Sequence, residues 1–397
     1  NAYTEGLPTV PCRRAMLTGR YTLPVKGWSQ LDVSDTTIAD LCWGQPIDSY
    51  LIHDSGPFRL PKFGYSRGFD KVFFTNAGAD ANENAMRAAR LFTGRDKILS
   101  SYRCYHGNTG AAISATGDWR RKPNDYSRGH VHFFTPYLYR SEFSATTQEE
   151  ECERALAHLE HVIQFEGPDT AVLLESVPGT AGIIIPPKDY FKGVREITKK
   201  YSILMITDEV MAGFGRTGFW FALDDYDYTP DIISFAKGCN SGYVPAGGVI
   251  MSDPVAHRFD DIVFPGGLTY SGHPLAMGAI VATQEAMEEE HIVDNAYTIG
   301  KDVLGPQLTA LYDKHPKIGE VRGKGVFWAV EMVADRTTKE PLDDATMKQI
   351  VAEGDKRGLI LGVHNNRIHV TPPCVISADE ATQGVEILDQ VLTAAGC

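Results

Sequence analysis

Ser202-Ile203-Leu204-Met205-Ile206-Thr207-Asp208-Glu209-Val210 and Asp231-Ile232-Ile233-Ser234-Phe235-Ala236-Lys237-Gly238 decide the fold of this chain. Each is an apolar, β-branched-rich run that reads as a buried strand, and each ends on an ionisable residue. Ionisable groups at the ends of apolar strands are costly unless they are paired or exposed. Singly, Asp208 or Lys237 is an ordinary solvated strand end. Together, with the glycine-rich loops Gly213-Phe214-Gly215-Arg216-Thr217-Gly218 and Gly238-Cys239-Asn240-Ser241-Gly242-Tyr243 following as flexible segments, they read as a site.

Outward from this pair, strand-like and helix-like segments alternate. Strands are expected at Lys71–Thr75, Lys97–Ser101, Ala171–Glu175 and Ile203–Thr207, with helices at Asp80–Leu91, Glu149–Gln164 and Tyr190–Tyr201. Such alternation implies βαβ units and a mainly parallel sheet, so the fold class is α/β. Beyond about Gly305 the pattern changes to a smaller α+β unit, with strands near Gly325–Val333 and Arg367–Thr371 and helices near Asp344–Arg357 and Ala378–Leu392. The expected division is residues 1–70 as an atypical opening segment, 71–304 as a large domain and 305–397 as a small C-terminal domain.

The 397 residues are about twice a usual single domain, so more than one core is expected. With 43% hydrophobic and 22% charged residues, the chain is ordinary for a soluble globular protein. A net charge of −13 argues against nucleic acid and gives no basic stretch for a membrane surface. No apolar run reaches the roughly 18–20 residues of a membrane span, and no signal peptide is evident. The seven cysteines lack CxxC or CxxH spacing, which points to reduced thiols in a cytoplasm and to no metal site.

A lysine at a strand end can form a Schiff base, and an aspartate there can hold a heterocyclic nitrogen protonated. Those are the two roles that pyridoxal phosphate asks of a protein, its ring then serving as an electron sink. Four further segments fit around such a ring. In Phe74-Thr75-Asn76-Ala77-Gly78-Ala79-Asp80, Gly78 and Ala79 leave room for backbone N–H groups to meet a phosphate at a helix start. Tyr105 and His106 follow the next strand, where an aromatic ring can stack on a flat cofactor. Glu175 ends another strand, where α/β folds gather ligand groups. Thr269, in Gly266-Gly267-Leu268-Thr269-Tyr270-Ser271-Gly272-His273-Pro274, offers a hydroxyl to a phosphate oxygen before a helix over Leu275–Ala286. Each has a plainer reading as a connection, a half-buried loop aromatic, a solvated carboxylate or turn chemistry.

Taken together, these segments resemble the class III aminotransferases, pyridoxal-phosphate enzymes of fold type I. The resemblance runs from about residue 71 to the C-terminus and rests on Thr-Asp-Glu-Val…Gly-Phe-Gly-Arg-Thr-Gly, Pro230-Asp231-Ile232…Ala236-Lys237-Gly238, Thr269-Tyr270-Ser271-Gly272-His273-Pro274 and Val321-Arg322-Gly323-Lys324-Gly325. It implies a seven-stranded-type sheet in the large domain. It also implies that Lys237 holds the cofactor covalently and shuttles a proton, while Asp208 pairs with the pyridinium nitrogen. Tyr105, with His106 beside it, and Val210 would enclose the ring. Gly78 and Ala79 would bind the phosphate, with Glu175 at the same site. Thr269 would reach the phosphate of a neighbouring subunit in a homodimer.

Two stretches depart from the family pattern. Members acting on α-amino or α-keto acids carry an arginine three residues before a Pro-Pro, gripping the carboxylate bidentately. Here Arg367-Ile368-His369-Val370-Thr371-Pro372-Pro373 places His369 in that register, with Arg367 two residues earlier on the same strand face. The altered clamp favours an ω-amino acid, a taurine-like or β-alanine-like donor or an amine, with a keto acid such as pyruvate as acceptor. Residues 1–70, in turn, resemble a fragment of the sulfatase branch of the alkaline phosphatase superfamily, with Thr9 at the nucleophile position, Arg13 beside it and Cys12 off the motif. Lyase, decarboxylase and aminomutase chemistries share the Lys/Asp pair, and a sulfatase-like hydrolase or an inactive fusion are the readings from another class.

Overall fold

The computed structural model describes residues 72–124, 127–167, 169–260 and 262–397. The stretch compared above with the sulfatases, including Thr9, Cys12 and Arg13, lies outside the described residues.

Seven strands form the main sheet: β1 (Val72–Thr75), β2 (Lys97–Ser101), β3 (His130–Phe133), β4 (Asp169–Glu175), β5 (Leu204–Asp208), β6 (Ile232–Ala236) and β7 (Gly247–Met251). Their spatial order is β1-β7-β6-β5-β4-β2-β3. Neighbouring pairs from β3 through β6 are parallel, whereas β7 runs antiparallel to both β6 and β1. The sheet is therefore mixed but mainly parallel, in agreement with the alternation of apolar runs. Both of its faces are covered by helices, as apolar strands without polar alternation require.

Odd and even positions of one strand serve different cores. Ala171 and Leu173 of β4, with Leu204 and Ile206 of β5, pack with Ala81, Ala85, Met86, Ala88 and Ala89 of α1 (Gly78–Thr93). Short α2 (Gly110–Ala115) joins them through Ala111, Ala112 and Ala115. On the opposite face, Val172, Leu174 and Met205 pack with Leu159 and Ile163 of α3 (Gln148–Glu166) and with Tyr190, Phe191 and Val194 of α4 (Tyr190–Lys200). This two-residue period explains why each strand reads as continuously apolar.

After α5 (Asp253–His257), α6 (Pro274–Glu289) and α7 (Ile292–Ile299), α8 (Gly305–Lys314) leads into a second, five-stranded antiparallel sheet. It contains β8 (Ile318–Lys324), β9 (Phe327–Asp335), β10 (Glu340–Pro341), β11 (Gly362–His364) and β12 (Arg367–Val370). Helices α9 (Asp344–Lys356) and α10 (Ala378–Ala394) cover it. Its core takes buried residues from Ala296 to Leu392, including Leu308, Val330, Ile368 and Leu388. Among the described residues no helix is long and apolar enough to cross a membrane.

Strand β7 has no counterpart in the sequence reading, for a physical reason. It opens on Gly247 and Gly248, residues that weaken a strand pattern. Added Cβ atoms would come 2.8 Å from the carbonyl oxygen of Ala77 and 2.5 Å from the ring of Phe235. Backbone close to Gly247 and aromatic rings close to Gly248, not an apolar alternation, account for the glycines of this strand. The Gly213–Gly218 segment is likewise a closed turn rather than a loose loop. Phe214 and Gly215 donate to the carbonyls of Trp220 and Phe219, and Arg216 reaches the carbonyls of Val326 and Pro372.

Candidate active site

The register of the central strands sets Glu175 beside Asp208, and Asp208 beside Ser234. The ends of β4 and β5 thus meet, beside the middle of β6, at the carboxyl edge of the parallel strands, where ligand groups collect in open α/β folds. Lys237 follows directly after β6.

Asp208 is 2% exposed. Its Oδ2 accepts from Asn82 Nδ2 at 2.7 Å and lies 2.7 Å from His106 Nδ1, while Oδ1 accepts from the N–H of Val210 at 2.9 Å. Asn82 is oriented in turn, donating also to the carbonyl of His106 and accepting from Ser234 Oγ at 2.6 Å. A carboxylate has about four lone-pair sites, so three donors leave room for one more. Burial opposes a charge on His106, yet Cys104 and the hydrogen-bonded carboxylate of Asp208 outweigh it, and its pKa stands well above 6.5. A protonated His106 sets a positive charge 2.7 Å from Asp208 Oδ2, and the remaining lone-pair site of the carboxylate can accept from a protonated ring nitrogen. The Nε2 of His106 is buried with no partner among the described residues.

Lys237 adopts a positive φ of 49°. Non-glycine residues in this left-handed region are uncommon and concentrate where function over-determines the backbone. Its side chain opens into a cavity of about 1270 Å³ that Phe214, Pro274 and Leu275 also line. No carboxylate among the described residues forms an ion pair with it.

The remaining predicted residues surround the same strand ends. Glu175 accepts from the backbone N–H of Tyr105 and of Gly179, both at 2.9 Å, and so fixes the loop that carries Tyr105. Burial pushes the Glu175 carboxyl up to about 7, with the charge of Asp208 acting in the same direction and His106 against it. Val210 packs on Gly78 so closely that a Cβ there would stand 2.6 Å from Val210 Cγ1. Gly107, at φ +132°, lets the Tyr105–His106 loop press on Ala79, where a Cβ would meet Ala79 Cβ at 2.5 Å.

Helix α1 begins at Gly78 after Ala77, an extended residue whose side chain provides no cap. First-turn N–H groups have no intrahelical partner, and the positive end of the helix dipole favours an anion. A pyridine ring bearing a phosphate fits this donor set. The uncapped helix start can receive the phosphate, the buried carboxylate the ring nitrogen, and the nearby lysine an aldehyde. Thr269 lies exposed in a turn before α6.

Arg367 and His369 both leave β12, but only Arg367 lines a second cavity, of about 640 Å³. His369 is 7% exposed, and burial, reinforced by His364 and Arg367, pushes its pKa down to about 3. It is therefore neutral and unable to grip an acid by charge.

Asn82, Ser234 and Gly107 complete the site without having been singled out from the sequence. The available cue for Asn82 is helical spacing. It stands four residues after Gly78 on the buried face of α1, where an amide amid alanines needs a partner.

A family model described as aminotransferase class-III matches residues 61–392, starting inside the segment compared above with sulfatases. The hypotaurine/taurine–pyruvate aminotransferase of Paracoccus denitrificans (strain Pd 1222) is 34% identical over 349 residues, 82% of this chain and 75% of that protein. Among solved structures, the taurine:2-oxoglutarate aminotransferase from Bifidobacterium kashiwanohense, in complex with PLP and glutamate, superposes with a TM-score of 0.78 at 41% identity, covering 82% of this chain and 75% of that one. A thermostable (S)-enantioselective omega-transaminase from Thermomicrobium roseum gives 0.77 at 37% identity, with 81% and 74% covered.

Proposed function

The chain belongs to the class III aminotransferase family and uses pyridoxal phosphate; on that premise we propose that it moves the amino group of an ω-amino acid such as taurine or β-alanine, or of a related amine, to a keto acid such as pyruvate. The observation that carries this reading is Asp208, buried and held by three donors at the end of β5, with Lys237 just beyond the neighbouring strand. Relatives whose names specify taurine support the donor class.

When bound, the cofactor supplies a conjugated sink for the electron pair left on the amine-bearing carbon. The protein's own groups then have separate tasks. Asp208 would hold the ring nitrogen, with Asn82 and His106 fixing its carboxylate. Lys237 Nζ would hold the cofactor's aldehyde and, once released, would carry the proton taken from the amine-bearing carbon of the donor. The N–H groups of Gly78 and Ala79 would take the phosphate, while Val210 and Tyr105 would bound the ring. The donor leaves as its oxo compound and the keto acid leaves as an amino acid, so amine and oxygen exchange places.

Thr269 is assigned to the phosphate of a second copy of the chain. Exposed Tyr243, Leu275 and Val375 line the cavity that Lys237 enters, which suits an apolar contact between subunits.

The deciding experiment compares wild type with Lys237→Ala, both loaded with pyridoxal phosphate, for alanine formed from pyruvate and taurine. The variant is expected to lose the visible absorption of the tethered cofactor and about 10²–10⁴-fold or more in rate, the scale of general acid–base catalysis. Full activity and an unchanged spectrum in the variant would refute the role given to Lys237.

A further inference from the structure

Tyr105 is held twice, by two carboxylates that reach it along different routes. Its backbone is fixed directly, the N–H donating to Glu175 at 2.9 Å. That bond leaves the side-chain torsions free, and a ring that bounds a flat cofactor needs a defined tilt. The ring is met by Arg120, which lines the 640 Å³ cavity with Arg103, Arg140 and Arg367. Its guanidinium lies 3.8 Å from the centroid of the Tyr105 ring. A cation over an aromatic face is attracted to the ring quadrupole, so this contact resists rotation of the phenol.

Arg120 is itself held by Asp118. The carboxylate caps the short helical turn Trp119–Arg121 by accepting from the backbone N–H of Arg120 at 2.9 Å. It then takes the side chain of the same residue. Nε stands 2.9 Å from Oδ2 and 3.1 Å from Oδ1, and Nη2 also donates to Oδ2. Such a bidentate grip fixes the plane of a guanidinium that otherwise turns about several bonds. The turn is also locked to the loop it serves. Gly117 donates its N–H to the carbonyl of Cys104 at 3.3 Å, and a Cβ at Gly117 would overlap the carbonyl oxygen of Ser101.

We propose that Asp118 is a positioning residue for the cofactor ring: acting through Arg120, it sets the tilt of Tyr105. This deepens the reading in which Tyr105 bounds the ring, and rests on it. The guanidinium takes one face of the phenol and leaves the other for the cofactor, so three flat groups lie in series. Without the carboxylate the guanidinium is free to leave the ring. Tyr105 then samples several tilts in the apoprotein, and binding must reorder it.

The test titrates the full-length apoprotein with pyridoxal phosphate, followed by fluorescence, for wild type, Asp118→Asn, Tyr105→Leu and the double variant. Asparagine keeps an acceptor for the Arg120 backbone N–H and removes the charge that grips the guanidinium. Asp118→Asn is expected to weaken cofactor binding about 3- to 10-fold, the scale of one cation–π contact. At saturation it should also lower the visible circular dichroism per bound cofactor, with the far-ultraviolet signal unchanged. In the Tyr105→Leu background the same substitution should alter neither quantity. Equal losses in both backgrounds, or no loss from Asp118→Asn where Tyr105→Leu shows one, overturn the proposal alone. Wild-type affinity and visible dichroism in Tyr105→Leu overturn the reading of Tyr105 beneath it, and the proposal with it.

Discussion

At the scale of single residues, the adjacent buried carboxylates Asp208 and Glu209 are held by different partners on the two sides of the main sheet. Asp208 keeps a protonated partner in His106, whereas Glu209, the next residue along, turns to the other side of the sheet. There it accepts from Ser176 and from the N–H groups of Ala222 and Leu223, holding the short helical turn at Ala222–Tyr226. Burial nevertheless pushes its carboxyl up to about 7 from an ordinary 4.5. A folded-state pKa above the unfolded one contributes stability that is complete below the unfolded value and is lost as pH rises through the folded value. Glu209 should therefore make the protein less stable between about pH 5 and pH 8, by roughly 3 kcal/mol over that interval, and Glu175 acts in the same direction. Urea unfolding at a series of pH values checks this. Glu209→Gln should flatten the decline, and an equal slope in the variant would show that this carboxyl is not its source. Residues of this kind differ in how far the sequence reveals them. Asp208 and Lys237 declare themselves because a charge closes an apolar strand. Asn82 does not, because its partners Asp208 and Ser234 lie 126 and 152 positions away and only the folded sheet brings them together. Arg120 is silent for the same reason, since only the fold lays its guanidinium over the ring of Tyr105.

At the scale of elements, the start of α1 is where local geometry and cofactor chemistry meet. The helix was legible as a run of small residues after a strand, since alanines at helical spacing allow close packing on a sheet. The tightness of its first turn was not, because it depends on Val210 and Gly107 from two other loops. Gly78 sits where an added methyl group would meet Val210 Cγ1 at 2.6 Å. The helix start must then move outward by a fraction of an ångström, and its N–H groups lose alignment with a phosphate. Gly78→Ala is expected to weaken pyridoxal-phosphate binding by about tenfold or more, the loss of one good charged hydrogen bond, with the far-ultraviolet dichroism unchanged. Val210→Ala removes the obstructing methyl groups, so the double variant should recover part of that affinity despite its own lost ring contact. Fluorescence titration of the apoprotein with the cofactor decides the matter. No recovery in the double variant would mean that the helix start is not held by this contact. Strand β7 teaches the same lesson in reverse: its glycines look like a break in the sequence, and they are there because backbone crowds Gly247 and the Phe235 and Phe74 rings crowd Gly248.

At the scale of the whole molecule, the two sheets are joined by a buried network that also forms one wall of the arginine-lined cavity. Tyr137 and Arg140 come from the segment after β3, and Glu320, Arg322 and Glu331 from β8 and β9. Glu331 is the hub, accepting from Tyr137 Oη at 2.8 Å, from Arg140 Nε at 2.6 Å and pairing with Arg322 Nη1 at 2.8 Å. Burial alone would raise its pKa, but Arg322, Tyr137 and Arg140 hold it below the ordinary carboxylate value. A depressed folded-state pKa contributes stability that is present above the unfolded value and is lost as pH falls through the folded one. The network is thus complete at neutral pH and weakens in acid. Replacing the hub by an amide leaves Arg322, which is 8% exposed, with Glu320 as its remaining carboxylate, and leaves Arg140 with none at that contact. Breaking a buried ion pair from one side costs about 3–5 kcal/mol because the surviving charge remains desolvated. Glu331→Gln should therefore lower the thermal midpoint at pH 7 and narrow the difference between midpoints at pH 7 and pH 4. Because Glu331 and Arg140 line the cavity beside Arg367, the same change should raise KM for taurine more than it lowers kcat. A variant with wild-type melting at both pH values would mean that the sheets are held together by their apolar contacts alone, and that the ion network only shapes the cavity wall.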